Sequence, residues 1–182
     1  MDEPGTSLLR IARNAIGEAF GQPPQAVAGP PELQHPGASF VTLTRHGELR
    51  GCIGSLDAWR PLAEDVAANA RAAAFRDPRF PALTTGELAD TRIAVALLAP
   101  AEPLPCRDEA EARARLRPHI DGVILSAGRH RATFLPQVWE QLPEPAAFLA
   151  QLKRKAGLAD DYWGPEVRLE RYTVRKWQEA WP

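Results

Sequence analysis

Two pairs of neighbouring strand-like segments, each joined by a short turn, place the strongest limit on how this chain can fold. Residues 38–44 and 48–53 are rich in β-branched and apolar side chains and flank the turn at His46-Gly47. A second pair covers residues 122–125 and 132–135. Strands this close in sequence pair antiparallel, because a parallel pair needs a long crossover connection. The chain is therefore predicted to contain β-hairpins.

Helical segments are interspersed with these hairpins. The predicted helices cover residues 8–20, 57–75 and 108–116, with further turns of helix opening at Pro136 and Pro145; the other predicted strands cover 93–98 and 167–177. Pro61 is expected in the first turn of its helix, and Thr84 and Glu87 have the spacing of a capping box. No βα unit repeats, so the pattern favours an α+β fold with a largely antiparallel β-sheet flanked by helices.

Length and composition indicate an ordinary globular protein. At 182 residues, the chain fits a single domain covering 1–182, with room for a smaller second lobe. A formal net charge of −1 gives it no general attraction to DNA or to an anionic membrane. The sequence shows neither a signal peptide nor a run of about 18 apolar residues, which predicts a cytoplasmic protein. Cys52 and Cys106 are expected to be reduced thiols, since a chain of this length needs no disulfide.

The clearest candidate for a functional residue is Cys52, which lies between Gly51 and Gly54 near the end of a predicted strand. Glycines permit unusual backbone conformations or a close approach to a ligand. Arg50 and the N-terminus of the helix near Pro61 would both stabilise a thiolate, so Cys52 is a candidate nucleophile or acceptor. The alternative is a small buried side chain that only packs the strand. His46 is a poor partner for the thiol, since an extended strand would hold it about 20 Å away.

Four further charged residues complete the candidate catalytic set with Cys52 and Arg50. Asp77 and Arg79 stand in a rigid turn and could bind an anion or orient the Cys52 region, although they could equally tie a helix end to the next segment. Glu64 and Asp65 could act as general acid and base, but acidic residues in a first helical turn are also explained by the helix dipole. No metal-ligand spacing is present, so no metal or cofactor is predicted.

A basic stretch near the C-terminus supports a weaker alternative. It contains Arg168, Arg171, Arg175 and Lys176, interleaved with Tyr172 and Trp177. Such residues could contact nucleic acid, but on a strand they more often form a solvated edge.

Several segments, in order along most of the chain, match one known family. The most specific is Leu49-Arg50-Gly51-Cys52-Ile53-Gly54. The others are residues 40–43, 61–66, 74–81, 121–124, 134–138 and 155–158. With these segments the chain resembles the AMMECR domain family, whose bacterial members include protein A of the AmmeMemoRadiSam system.

The resemblance implies an α+β fold with a larger and a smaller lobe and a cleft near Cys52. It also implies functional company with a Memo-like protein and a radical S-adenosylmethionine enzyme. The chain lacks a three-cysteine iron–sulfur signature, so radical chemistry would belong to the partner. The leading hypothesis is an enzyme or enzyme component that uses Cys52 on a small-molecule or protein substrate. The alternatives are a non-catalytic module that binds and regulates a protein partner and, more weakly, a nucleic-acid-binding protein.

Overall fold

A computed structural model describes residues 3–180, and the chain divides into two compact units. The first unit comprises the residues up to Leu98 together with those from Arg175, and the second runs from Ala99 to Val174. The helices are α1 (Glu3–Glu18), α2 (Leu62–Phe75), α3 (Glu109–Arg115) and α4 (Pro145–Lys155). The strands are β1 (Ala38–Arg45), β2 (Glu48–Gly54), β3 (Thr91–Leu98), β4 (Glu102–Pro103), β5 (Gly122–Ala127), β6 (His130–Phe134), β7 (Arg168–Tyr172) and β8 (Val174–Gln178).

The first unit is a four-stranded sheet in the order β2-β1-β3-β8, with α1 and α2 packed on one face. β1 pairs antiparallel with both β2 and β3. Val41 and Leu43 of β1 are fully buried against apolar residues of both helices, among them Leu8 and Val66. Alternate residues of a strand face opposite sides, so Phe40, Thr42 and Thr44 lie on the face away from the helices.

The second unit is a four-stranded sheet in the order β4-β7-β5-β6 with its own apolar core. Trp139 and Phe148 are fully buried and stack with their ring centroids 3.7 Å apart. The indole nitrogen of Trp139 donates a 2.7 Å hydrogen bond to the backbone oxygen of Asp121. This bond gives the buried indole N–H the partner that it needs.

The predicted α+β class and both hairpins are confirmed, but the number of sheets differs from the prediction. Two antiparallel sheets are present where one was expected. The stretch 167–177, predicted as one strand, is divided at Thr173 into β7 of the second sheet and β8 of the first. Tyr172 is buried in the second unit, whereas Trp177 packs against the core of the first. The alternation of apolar residues along the chain could not reveal that these two side chains enter different cores.

α2 begins at Leu62 rather than at residue 57 as predicted. The chain before it is held extended, because Pro36 and Pro61 form an isolated β-bridge and Gly37 donates a backbone hydrogen bond to Arg60. A residue that precedes a proline is also disfavoured in the helical conformation, which prevents Arg60 from joining the helix. The capping box is confirmed and caps a single 3-10 turn over Thr85–Glu87.

Both cysteines are free thiols, as predicted, and both residues are partly exposed. No helix within residues 3–180 has the length and apolar character needed to cross a membrane.

Candidate functional site

Cys52 lies on β2, the edge strand of the first sheet, and its side chain lies on the face opposite α2. The orientation follows from its neighbour Gly51, which is buried and abuts the backbone of Ala73 in the last turns of α2. Adjacent strand residues face opposite sides. The thiol of Cys52 is 3.3 Å from the hydroxyl oxygen of Thr42, the residue opposite it on β1. As a residue, Cys52 is partly exposed.

Asp77 and Arg79 bind both backbone polar groups of Cys52, and we call this pair the Asp77–Arg79 clamp. The Cys52 N–H donates to Asp77 Oδ2 at 2.8 Å, and Arg79 Nη2 donates to the Cys52 carbonyl oxygen at 3.3 Å. Arg79 also donates to Asp77 through Nε at 3.0 Å and through Nη2 at 2.7 Å. The clamp therefore engages the N–H and C=O groups that an edge strand would otherwise leave unpaired.

Asp77 is buried and ionised. The hydrogen bonds from the Arg79 guanidinium, then those from the backbone N–H groups of Cys52 and Arg79, hold the pKa of Asp77 well below its usual range against the opposing effect of burial. A carboxylate with both oxygens engaged in this way is suited to holding the chain in place and is a poor proton acceptor.

Arg50 points to a different partner because the hairpin contains a β-bulge. The pairing passes from Leu43 opposite Gly51 to Thr44 opposite Leu49, which leaves Arg50 as the extra residue. Its Nε and Nη2 donate to the two carboxylate oxygens of Glu87 at 3.0 and 3.1 Å.

The guanidinium groups of Arg50 and Arg79 both lie near the ring of Phe80. The two guanidinium carbons are 6.0 and 5.5 Å from its ring centroid. Arg50 Nη1 is buried and has no hydrogen-bond partner within the described residues. Phe80 therefore links the Arg50–Glu87 pair to the clamp.

Neither predicted source of positive potential at Cys52 has the expected geometry. The part of α2 beside Cys52 is its C-terminal end, since Gly51 abuts Ala73 and the clamp follows directly after the helix, whereas the first turn bonds to Ser55 beyond the end of β2. A helix C-terminus carries negative partial charge, so the predicted help from the helix N-terminus is wrong. The guanidinium of Arg50 forms an ion pair with Glu87. The cation that contacts Cys52 is Arg79, through the Cys52 carbonyl oxygen.

Asp65 belongs to a separate buried cluster that joins α2 to β1 and to the end of β2. The cluster consists of Ser39, Ser55, Arg60, Asp65 and Asn69. Asp65 Oδ2 accepts from Ser39 N at 2.9 Å, Ser39 Oγ at 2.7 Å and Asn69 Nδ2 at 2.9 Å. Its Oδ1 accepts from Ser55 Oγ at 2.7 Å and Arg60 Nε at 2.9 Å. The carboxylate is fully engaged in holding these elements together.

The structure therefore brings three of the six predicted residues into direct contact: Cys52, Asp77 and Arg79. Glu64 is exposed on α2 and makes no hydrogen bond or ion pair within residues 3–180.

Both glycines of the motif, Gly51 and Gly54, lie within β2. They allow neighbouring protein atoms to pack closely, whereas the sequence suggested that they allow a ligand to approach. A Cβ on Gly54 would lie 2.2 Å from the Phe40 ring.

Sequence reasoning missed Thr42 as a neighbour of the thiol, and the bulge explains why. Counting back from the 46–47 turn pairs Thr42 with Gly51, whereas the extra residue at Arg50 shifts the partner to Cys52. Glu87 was recognised only as part of the capping box, yet it accepts from Thr84 and from Arg50 at once. Phe80 gave no signal beyond its position in the turn.

Acid titration tests the Arg50–Glu87 pair. Hydrogen bonds from Arg50, followed by those from Thr84, lower the pKa of Glu87 from its ordinary 4.5 to about 2. The folded-state pKa is the lower one, so this carboxylate contributes stability above about pH 4.5 and loses it as the pH falls toward about 2. We expect Glu87→Gln to be less stable than the wild type at neutral pH and to show a smaller loss of stability across this acid range, measured by urea unfolding. Parallel pH profiles for the two proteins would contradict the assignment.

The basic C-terminal stretch is divided between the two sheets. Tyr172 is buried, Arg171 lies 3.9 Å from the buried carboxylate of Asp121, and Arg175 stacks on Trp177. The stretch also passes from one sheet to the other, so its cations do not follow a single strand edge. Within residues 3–180, no group of three or more His, Cys, Asp or Glu side chains is arranged to hold a metal ion.

The fold and the site define a two-unit α+β protein that carries a clamped cysteine on the edge strand of its first sheet. The chain belongs to the AMMECR1 family, since that family's profile matches residues 9–177, and the resemblance drawn from the sequence motifs is confirmed. A protein of Thermococcus onnurineus is 38% identical, covering 100% of this chain and 93% of the relative. A protein of Methanothermobacter thermautotrophicus is 36% identical, covering 96% of this chain and 94% of the relative.

A solved structure has the same fold. The crystal structure of an uncharacterized protein from Pyrococcus horikoshii superimposes with a TM-score of 0.88 at 32% sequence identity. The match covers 100% of this chain and 94% of the other.

Proposed function

We propose that the chain is a cysteine-dependent enzyme or enzyme component in which Cys52 is the nucleophile or acceptor. The observation that carries the proposal is the Asp77–Arg79 clamp, which fixes both backbone polar groups of Cys52 while the residue stays partly exposed. A reacting group must be held in place by other residues if it is to meet its substrate in one geometry.

The chemistry available to this thiol is nucleophilic attack. The thiolate is the reactive form, so the proton leaves first, and the sulfur then forms a bond to an electrophilic carbon whose leaving group departs with its electron pair. No histidine within residues 3–180 hydrogen-bonds to the Cys52 sulfur, and its one polar side-chain contact is the Thr42 hydroxyl. The proton therefore passes to solvent or to the substrate.

We also propose a Memo-like protein and a radical S-adenosylmethionine enzyme as the functional partners. Membership of the AMMECR1 family supports this proposal through the resemblance described above. On this proposal radical chemistry takes place on the partner enzyme.

Alkylation with iodoacetamide tests the role of Cys52 and uses Cys106 as an internal control. Burial raises the pKa of the Cys106 thiol, so little of it is thiolate at neutral pH. We expect Cys52 to react at least about tenfold faster than Cys106, measured by mass spectrometry of the two peptides over time. Cys52→Ser should leave the stability nearly unchanged, because serine is close in size and the clamp binds backbone atoms only.

Equal labelling rates at the two cysteines would contradict the proposal. So would unfolding of Cys52→Ser, since that result would make Cys52 a packing residue.

A non-catalytic interaction module is the second candidate, and one observation favours it. Trp59, in the loop between β2 and α2, is 70% exposed, and the Arg60 guanidinium lies 4.7 Å from its ring centroid. Tryptophan and arginine dominate binding energies at protein interfaces. Titration against a purified Memo-like protein separates the two candidates. A module would lose affinity in Trp59→Ala and keep it in Cys52→Ala.

A further inference from the structure

We propose that the Cys52 site takes a substrate bearing an anionic group, a carboxylate or a phosphate, which Arg79 binds beside the thiol. The inference rests on the proposed role of Cys52 and adds the chemical class of what that thiol meets. The observation behind it is that one edge of the Arg79 guanidinium is hydrogen-bonded within the clamp while the other edge has no partner.

One edge of the Arg79 guanidinium is fully used and the other is open. Nε and Nη2 donate to Asp77, and Nη2 also donates to the Cys52 carbonyl oxygen. Nη1 makes no hydrogen bond within the described residues, and the side chain is 53% exposed. The two N–H groups of Nη1 therefore have no protein acceptor, and an oxyanion can accept from them.

The open edge of Arg79 is held in a fixed direction. Asp77 is 2% exposed and is itself anchored by the Cys52 N–H, and the Phe80 ring lies against the guanidinium. An arginine that is already immobilised loses little conformational entropy when it binds a ligand. This feature distinguishes Arg79 from an ordinary exposed arginine such as Arg107, whose side chain is 88% exposed.

The guanidinium of Arg79 contacts the same residue that carries the thiol. Arg79 Nη2 is 3.3 Å from the carbonyl oxygen of Cys52. Hydrogen bonding to Asp77 foremost, and the charge of a Cys52 thiolate to a smaller degree, raise the pKa of Arg79. The carboxylate of Asp77 neutralises part of this charge, but both its oxygens are buried in hydrogen bonds. The solvent side of the pair therefore presents N–H donors only.

A second unsatisfied donor lies on the same aromatic ring. Arg50 Nη1 is buried and unpartnered within residues 3–180, and the guanidinium carbon is 6.0 Å from the Phe80 centroid. A buried donor without a partner is costly and favours an acceptor brought by water or ligand. The surroundings of Phe80 thus supply N–H groups in excess of the acceptors they have.

Two alkylating reagents of nearly equal size, one anionic and one neutral, test whether Arg79 binds an anionic group beside Cys52. Iodoacetate and iodoacetamide alkylate a thiolate by the same displacement of iodide, but only iodoacetate carries a carboxylate. We expect the ratio of iodoacetate to iodoacetamide rates to be about tenfold higher at Cys52 than at Cys106, as one charge-assisted hydrogen bond would give. Arg79→Gln should reduce the iodoacetate rate at Cys52 by about tenfold and change the iodoacetamide rate by less than about threefold.

Matched variants separate a local contact from a general charge effect. Arg71→Gln removes the same charge from an exposed arginine of α2 that pairs with Glu18, and it should leave the ratio unchanged. Arg79→Lys keeps the charge and should retain part of the preference. Acetate and inorganic phosphate, compared with chloride at equal ionic strength, should protect Cys52 from iodoacetamide. The better protector identifies the anionic group.

Failure of the anion site and failure of the proposed function give different labelling results. Fast labelling of Cys52 with the same reagent ratio in the wild type and in Arg79→Gln would overturn the anion site and leave the nucleophile proposal standing. An equal loss of both rates in Arg79→Gln would show that Arg79 only positions the thiol, and would also overturn the site. Slow labelling of Cys52 by both reagents would overturn the proposed function and this inference with it.

Discussion

Replacing Asp65 by alanine is expected to lower the free energy of unfolding by about 3–5 kcal/mol. Asp65 is fully buried, and its carboxylate accepts hydrogen bonds from Ser39, Ser55, Arg60 and Asn69. Removing it strands the buried N–H and hydroxyl donors of Ser39 and leaves the Arg60 charge, whose side chain is only 19% exposed, without its partner. Urea unfolding at neutral pH measures the loss.

The adjacent residue provides the matched control for Asp65. Glu64→Ala removes a carboxylate from the same helical turn, but Glu64 is exposed, so the change should stay within about 0.5 kcal/mol. If the two variants were equally stable, the Asp65 cluster would not hold α2 to the sheet as described. Were Asp65 instead a general acid or base, its variant would fold normally and lose activity.

Gly51→Ala is expected to destabilise the first unit by about 3 kcal/mol, near the upper end of the usual cost of overpacking. A Cβ on Gly51 would lie 2.2 Å from the backbone oxygen of Ala73. Backbone cannot rotate away as a flexible side chain can, so α2 and β2 must separate to admit the methyl group. Because Cys52 is the next residue and its N–H is bound to Asp77, the same displacement should loosen the clamp.

Gly86→Ala serves as the control for Gly51. Nothing lies within 4 Å of a Cβ added there, and the substitution should change the stability by less than about 0.5 kcal/mol. Thermal unfolding of the two variants side by side measures the difference. Stability in Gly51→Ala equal to that of Gly86→Ala would mean that β2 and α2 adjust freely, and that Gly51 is present for a reason other than packing.

Within the site, three of the residues selected from the sequence, Cys52, Asp77 and Arg79, are in contact in the structure, while the others lie apart from them. Cys52, Asp77 and Arg79 could be selected because a thiol between glycines and an acidic-basic pair in a proline turn are unusual in sequence. Asp65 was selected for its position in the first turn of α2, which is true also of Glu64. Only the contacts across to β1 and the end of β2 separate a fully bonded carboxylate from an exposed one.

The sequence by itself determined the helices, the two hairpins, the capping box and the α+β class, because each depends on residues within a few positions of one another. The tertiary structure alone decided the division of 167–177 between two sheets, the bulge that turns Arg50 toward Glu87, and the clamp on Cys52. These features depend on contacts between residues far apart in the chain. The local pattern of apolar and polar residues contains no information about such contacts. For the same reason, only the fold could show that the end of α2 beside the cysteine is its C-terminus.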